Sequence, residues 1–223
     1  MFFVLFFSLM NCLSAAAYAP FEFDFTSEDG STYRIEMRPI ETTLQDRLCL
    51  GKTYGSAIPM SSYMDGTVRS QAEIDKRFKN YTEWTNHKGY PWVCAMAFLK
   101  SVSAEESQLT AGQFLGQLVI EPWDDNGDAE LSYVLVEGCW NKGICTALVA
   151  KLLELVIPCL KGNTHMYKIR KLWATARPNN VGSWKVLEKN NFSKEEGLGA
   201  VHSSTVETAA APTDRWKYYI QIV

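Results

Sequence analysis

The stretch from residue 129 to residue 192 constrains this chain more than any other. It opens with the largely apolar run Leu131-Ser132-Tyr133-Val134-Leu135-Val136, which reads as a strand, and turns through residues 137–143. Ala147, Leu148, Leu152, Leu153 and Val156 then recur at helical spacing, and Pro158 sets the end of that helix near residue 157. A strand that passes through a turn into a helix aims the helix's first unpaired N–H groups at whatever lies beside the turn. With the positive end of the helix dipole behind them, those amides make a site for phosphate.

The local residues narrow the kind of phosphate. A nucleotide P-loop needs G-x-x-x-x-G-K-[ST], but Gly143 is followed by Ile144 and Cys145. The chain's only GKT begins at Gly51 and has Asp46 where the first glycine is required. A dinucleotide fingerprint needs three glycines, and one follows Trp140. The hexapeptide Trp140-Asn141-Lys142-Gly143-Ile144-Cys145 instead resembles the acyl-CoA loop [QR]-x-x-G-x-[GA] of the GNAT acetyltransferase superfamily. Trp140 departs from that pattern at its first position and Cys145 at its last. A second segment, N-V-G-S-W-K-V-L-E-K-N-N-F over residues 180–192, resembles the N-x-x-S-x-x-v-l-e-K-x-G-F signature of the RimJ/RimL-like branch. The W-x-K-G loop is typical of the same branch. Asn191 stands where that signature has glycine, which predicts a left-handed backbone there, a region Asn enters more readily than most residues. Arg38-Pro39-Ile40 resembles the "lRPi" that opens the family, so the resemblance runs over about residues 32–222.

The order of elements is read from the pattern itself. Residues 33–38 alternate as a strand, and 44–50 carry a loose helical spacing before a loop over 51–66. Ser70 and Glu73 form a capping box, followed by Ile74, Phe78, Tyr81 and Trp84 on one helical face. Strands follow at 92–99, 113–120 and 129–136, then 172–176 and 215–222, with a helix at 180–190 and a Ser/Thr/Ala-rich loop at 197–212. The resulting fold class is α/β (α+β), and the order excludes a doubly wound sheet. The resemblance implies the GNAT arrangement: a mixed, largely antiparallel twisted sheet flanked by helices, with a splayed central strand pair. Residues 20–223 are expected to form a single domain.

Twenty-two basic against 25 acidic residues give a net −3, so the charge balance supplies no general attraction to nucleic acid or an anionic membrane. Residues 1–19 lack charge and are apolar through 2–10, and small-x-small sites at 15–17 and 17–19 give them the look of a secretory signal. Export is therefore expected, with a cytoplasmic location as the alternative, and membrane association only if the segment is retained. Six cysteines scattered through predicted elements make no disulfide framework, and no Cys/His cluster marks a metal. Monomer and homodimer both stay open.

The resemblance implies acetyl-CoA as cosubstrate and an N-acetyltransferase acting on an amine, either a protein N-terminus or a small molecule, by direct transfer. Backbone amides of Asn141, Lys142, Gly143, Ile144, Cys145 and Thr146, with Trp140, would hold the pyrophosphate. The backbone of Leu135 and Val136 would pair with the pantetheine arm, and Asn180 would hydrogen-bond it. Members that place a tyrosine seven residues beyond this asparagine use it as the proton donor; here that residue is Leu187, and Ser183, three residues on, takes the role by resemblance to the closer branch. Strand alternation puts Glu130, Ser132 and Val134 on one face and Leu131, Tyr133 and Leu135 on the other. Glu130 is the candidate base, with Tyr133 competing for proton handling. Cys145 fits as a small residue beside the phosphates, not as a nucleophile. The departures at Trp140, Cys145 and Leu187 leave an alternative, a non-catalytic acyl-CoA binder or exported interaction protein on the same fold.

Overall fold

The computed structural model of the chain describes residues 19–57, 67–87, 93–103, 108–122, 127–156, 169–196, 199–200 and 214–222. Most of the signal-like segment, residues 1–18, lies outside that set, as do most of the loops expected at 51–66 and 197–212.

Among the described residues nine strands form the sheet: β1 (Phe21–Thr26), β2 (Thr32–Pro39), β3 (Cys94–Val102), β4 (Phe114–Pro122), β5 (Asp128–Leu135), β6 (Lys171–Ala176), β7 (Ser193–Lys194), β8 (Gly199–Ala200) and β9 (Asp214–Gln221). Their spatial order is β1-β2-β3-β4-β5-β6-β9-β7, with β8 pairing with β9 off that path. Every neighbouring pair is antiparallel except β5 with β6. This is the mixed, largely antiparallel sheet that the sequence predicted. Three strands escaped that reading. β1 alternates Phe21, Phe23 and Phe25 with polar residues, a clear period-2 signal, whereas β7 and β8 have two residues each and carry no periodicity.

Helices α1 (Leu44–Tyr54) and α2 (Gln71–His87) cover one face, and α3 (Ile144–Lys151) and α4 (Val181–Lys189) the other. Each starts on a local signal. Thr43 caps α1 by accepting from the Asp46 N–H at 3.1 Å. The Ser70/Glu73 box closes ahead of α2, the Ser70 N–H donating to Glu73 Oε2 at 2.8 Å. A buried ion pair fixes α1 to the end of β2: the Arg38 guanidinium holds Asp46 through two bonds of 2.7 and 2.6 Å, and Asp46 is 0% exposed. α3 continues into a π-helical turn at Leu152–Val156.

The sheet separates two apolar layers. Leu118, Ile120, Leu131, Leu135, Leu148 and Leu187 pack together on the α3/α4 side, while Leu50, Tyr54, Ile74, Tyr81, Val119 and Val134 pack on the α1/α2 side. At the centre β4 and β5 approach closely at Gly116, which adopts φ +155°. A Cβ there would lie 2.4 Å from the Val134 carbonyl oxygen, so only glycine fits. β5 keeps its register with β4 from Ala129 to Leu135, and β6 keeps its register with β9 from Lys171 to Ala176. Between β5 and β6 the parallel ladder holds only at Asp128↔Lys171, Ala129↔Leu172 and Glu130↔Trp173. Beyond Glu130 the two halves of the sheet part. That is the splayed central pair.

Candidate active site

The open end of the gap leads to the turn after β5. A short 3-10 turn at Glu137–Cys139 is followed by Asn141 at φ +58° and Gly143 at φ +75°, both left-handed. Gly143 is the N-cap of α3 and no side chain caps that end. The first backbone bond of the helix runs from the Ala147 N–H to the Gly143 carbonyl at 3.1 Å, so the amides of Ile144, Cys145 and Thr146 lie ahead of the ladder. The Trp140 indole N–H reaches back to the Leu135 carbonyl at 3.0 Å and closes the turn on the strand that feeds it. A Cβ on Gly143 would sit 2.8 Å from Cζ of Phe25, so β1 lies against the loop and helps to hold its shape. Lys142 faces Asp29 in the β1–β2 turn, whose carboxyl is held down at about 2, first by the Ser27 hydroxyl and then by the Ser31 N–H.

Inside the gap, backbone direction follows from one bond. The Val136 N–H donates to the Leu115 carbonyl on the β4 side at 3.0 Å. In an antiparallel ladder alternate residues turn both backbone groups the same way. Glu130, Ser132 and Val134 therefore point their backbone at β4, and Leu131, Tyr133 and Leu135 point theirs into the gap. The Val136 carbonyl is taken by the Cys139 N–H at 3.0 Å. Of the two residues expected to meet the pantetheine, the structure turns Leu135 toward the gap and Val136 toward β4.

The three candidates for proton handling divide between the faces. On the α3/α4 side, Tyr133 Oη donates to the Ser183 carbonyl at 2.9 Å and lies 3.0 Å from Ser183 Oγ. The hydroxyls of two of the three candidates are thus in direct contact. Asn180 accepts from the Ser183 N–H through its side-chain oxygen at 3.1 Å and caps α4, which fixes Ser183 on the first turn. The carboxamide Nδ2 of Asn180 has no bond among the described residues. Burial pushes the Tyr133 phenol well above its ordinary range and likewise raises the Cys145 thiol, which leaves that cysteine inert beside the loop. Leu187, where other family members carry tyrosine, is fully buried.

Glu130 lies on the opposite face, at the last rung before the strands part. Burial raises its carboxyl to about 7; the charge of Glu121 pushes the same way, while Arg215 and Lys217 oppose. Glu121 stands directly across the β4–β5 ladder, and its own carboxyl is raised by burial against the pull of Arg77. The Arg77 guanidinium from α2 lies 4.9 Å from the Tyr54 ring centre, and the Tyr54 and Tyr81 hydroxyls are 3.3 Å apart.

Several of these groups were not found from the sequence. Glu121 and Arg77 carry no motif; the register alone brings Glu121 opposite Glu130, and helix packing brings Arg77 to Glu121. Asn190 ties the two helices on the cofactor side, donating to the Thr146 carbonyl at 3.2 Å and the Val186 carbonyl at 2.9 Å. Asn191 adopts φ +62°, the left-handed conformation its place in the second motif predicted. Phe25 was legible in the alternation of β1, although its contact was not.

Taken together, the arrangement fits a phosphate-bearing thioester: amides at a helix start, a splayed strand edge along a gap, hydroxyls on one side and a carboxylate on the other. Residues 34–193 match the model for the Acetyltransferase (GNAT) domain. No curated protein matches the chain by sequence. Among solved structures, it is similar to Mycobacterium smegmatis RimJ in complex with CoA-disulfide, at 18% identity and TM-score 0.60, covering 92% of this chain and 88% of that one. RimL, a ribosomal L7/L12 alpha-N-protein acetyltransferase in complex with coenzyme A, is 20% identical with TM-score 0.58, over 84% of this chain and 94% of that one. Spermidine N-acetyltransferase from Vibrio cholerae, in complex with CoA and spermine, is 14% identical with TM-score 0.57, over 84% and 95%.

Proposed function

The chain belongs to the GNAT acetyltransferase family, and from that premise we propose that it passes the acetyl group of acetyl-CoA directly to an α-amine, such as a protein or peptide N-terminus. It is an acetyltransferase with acetyl-CoA as cosubstrate. In this reading the amides of residues 141–146 bind the pyrophosphate, and the edge of β5 at Tyr133 and Leu135 aligns the pantetheine. The reacting carbon then lies near the vertex of the gap, beside Glu130, some five residues or roughly 17 Å of strand from the loop.

The observation that carries the reading is the place and acidity of Glu130. It takes one proton from the incoming ammonium, the amine nitrogen attacks the thioester carbonyl, and as the C–S bond breaks the Ser183 hydroxyl, backed by Tyr133, protonates the departing thiolate and regains a proton from the second N–H that the new amide loses. A base near 7 removes a proton from an α-ammonium of pKa ~7.8 at an uphill cost of roughly 1 kcal/mol, against roughly 5 for an alkylammonium of pKa ~10.4. That difference favours an α-amine over a polyamine, and the likeness to RimL, an alpha-N-protein acetyltransferase, points the same way.

The test is thiol release from acetyl-CoA with N-terminal peptides and with spermine. Ser183→Ala is expected to lower kcat about 10²–10⁴-fold while acetyl-CoA affinity stays unchanged, because the bond to the leaving group forms only in the transition state. Asn180→Ala is expected to raise the KM for acetyl-CoA instead. Turnover of spermine but of no peptide would overturn the α-amine assignment. Normal kcat in Ser183→Ala would remove the hydroxyl from the chemistry.

A further inference from the structure

Glu121 and Glu130 face one another directly on neighbouring antiparallel strands. Alternation places both side chains on the α1/α2 face: Val119 and Val134, each an even number of residues away on its own strand, pack in the layer under α1 and α2. Directly opposed residues on one face hold their Cβ atoms about 5 Å apart, and like charges there repel. Both side chains are mostly shielded from water, which strengthens that repulsion and penalises each charge separately. An exposed pair on a surface hairpin would avoid the problem by turning to solvent; these two do not.

The neighbouring cations offset burial and repulsion only in part, and both carboxyls stay raised. Arg77 faces Glu121 from α2, but its guanidinium is already stacked on Tyr54 and donates to Tyr81 Oη at 3.5 Å. Arg215 and Lys217 pull on Glu130 from β9, one strand beyond β6. Lys217 is shared with Glu195 at 3.7 Å. The remaining titratable groups around the pair, Tyr54, Tyr81 and Cys94, are neutral at working pH because burial raises each of them.

We propose that Glu121 and Glu130 share the single proton they take up near neutral pH, and that Glu121, directly across the ladder, is thereby the positioning residue that adds to the basicity burial gives Glu130. The inference rests on the reading of Glu130 as the base. With both carboxylates ionised, the pair presents two negative charges to an incoming ammonium. When Glu130 takes the ammonium's proton, the two carboxylates share it and one charge remains, so the repulsion that made Glu130 more basic is relieved in the step that uses it. A lone buried glutamate would be raised by desolvation but would gain nothing from the proton's arrival beyond its own discharge.

The experiment follows the side-chain carboxyl ¹³C signals of glutamate in the full-length chain across pH, with acetyl-CoA affinity by calorimetry as the check on folding. In the unaltered protein the Glu130 signal, identified by its loss in Glu130→Gln, titrates near pH 7. In Glu121→Gln its midpoint is expected to fall by roughly one pH unit, the scale of coupled sites. Glu121→Asp keeps the charge and keeps the midpoint high. The acidic limb of kcat/KM moves with the signal in both variants. Because coupling is reciprocal, the Glu121 midpoint is expected to fall in Glu130→Gln, a reading that survives even if Glu121→Gln fails to fold. An unmoved Glu130 midpoint in a folded Glu121→Gln, or an unmoved Glu121 midpoint in Glu130→Gln, overturns the shared proton. If the carboxyl signals move as expected but the acidic limb persists in Glu130→Gln, the shared proton stands and the base assignment falls.

Discussion

A carboxyl held at about 7, chiefly by burial, carries a cost in stability, and Glu130→Gln is expected to remove it. An exposed glutamate has its midpoint near 4.5, so folding raises that of Glu130 by about 2.5. Each pH unit of such a rise corresponds to roughly 1.4 kcal/mol of difference between the protonated and ionised forms, which gives about 3 kcal/mol here. The sign follows from linkage. The folded state binds the proton more tightly than the unfolded chain, so the stabilising contribution of the protonated form is complete below pH 4.5. It is lost progressively as pH rises from 4.5 through 7. Glutamine mimics the neutral acid at every pH. Urea denaturation of the unaltered protein and of Glu130→Gln should therefore coincide near pH 4. The variant should be more stable by up to about 3 kcal/mol at pH 8, while its turnover falls. Such a trade is expected where a functional group is held in an unfavourable environment. Equal stability at pH 8, or a difference that does not change with pH, would refute the argument that burial holds the Glu130 carboxyl up.

Gly143→Ala is expected to weaken acetyl-CoA binding at least about tenfold, because a left-handed backbone costs a non-glycine residue roughly 1–2 kcal/mol and the added methyl meets Phe25 at 2.8 Å. Adding Phe25→Ala should recover part of that loss in calorimetry; no recovery would mean the contact from β1 does not shape the loop. Asp46→Asn should cost about 3–5 kcal/mol in denaturant titration, since it leaves the Arg38 guanidinium without its two short bonds to a fully buried partner. A loss below ~1 kcal/mol would show that this pair does not fasten α1 to the sheet.

The sequence by itself determined the parts whose physics is local. The turn with Gly143 ahead of an apolar helix, the capping box at Ser70 and Glu73, the left-handed Asn191 and the alternation of β5 each depend on a few consecutive residues, and each is found in the structure. From the same alternation came the division of Glu130 and Tyr133 between opposite faces. β1 was legible in FEFDFT by the same rule, although the signal was not taken up. Only the tertiary structure decided what depends on which strands meet and where they part. The splay begins at Glu130 because β5 holds its register with β4 while β6 holds its own with β9, and no window of sequence contains both pairings. The contact of Tyr133 with Ser183 spans 50 residues, and the pairing of Glu121 with Glu130 depends on the register of a whole hairpin. Local patterns fix an element and the face each side chain takes. Long-range packing fixes which faces meet, and in this chain it buries the Glu130 carboxyl opposite Glu121 and so raises it.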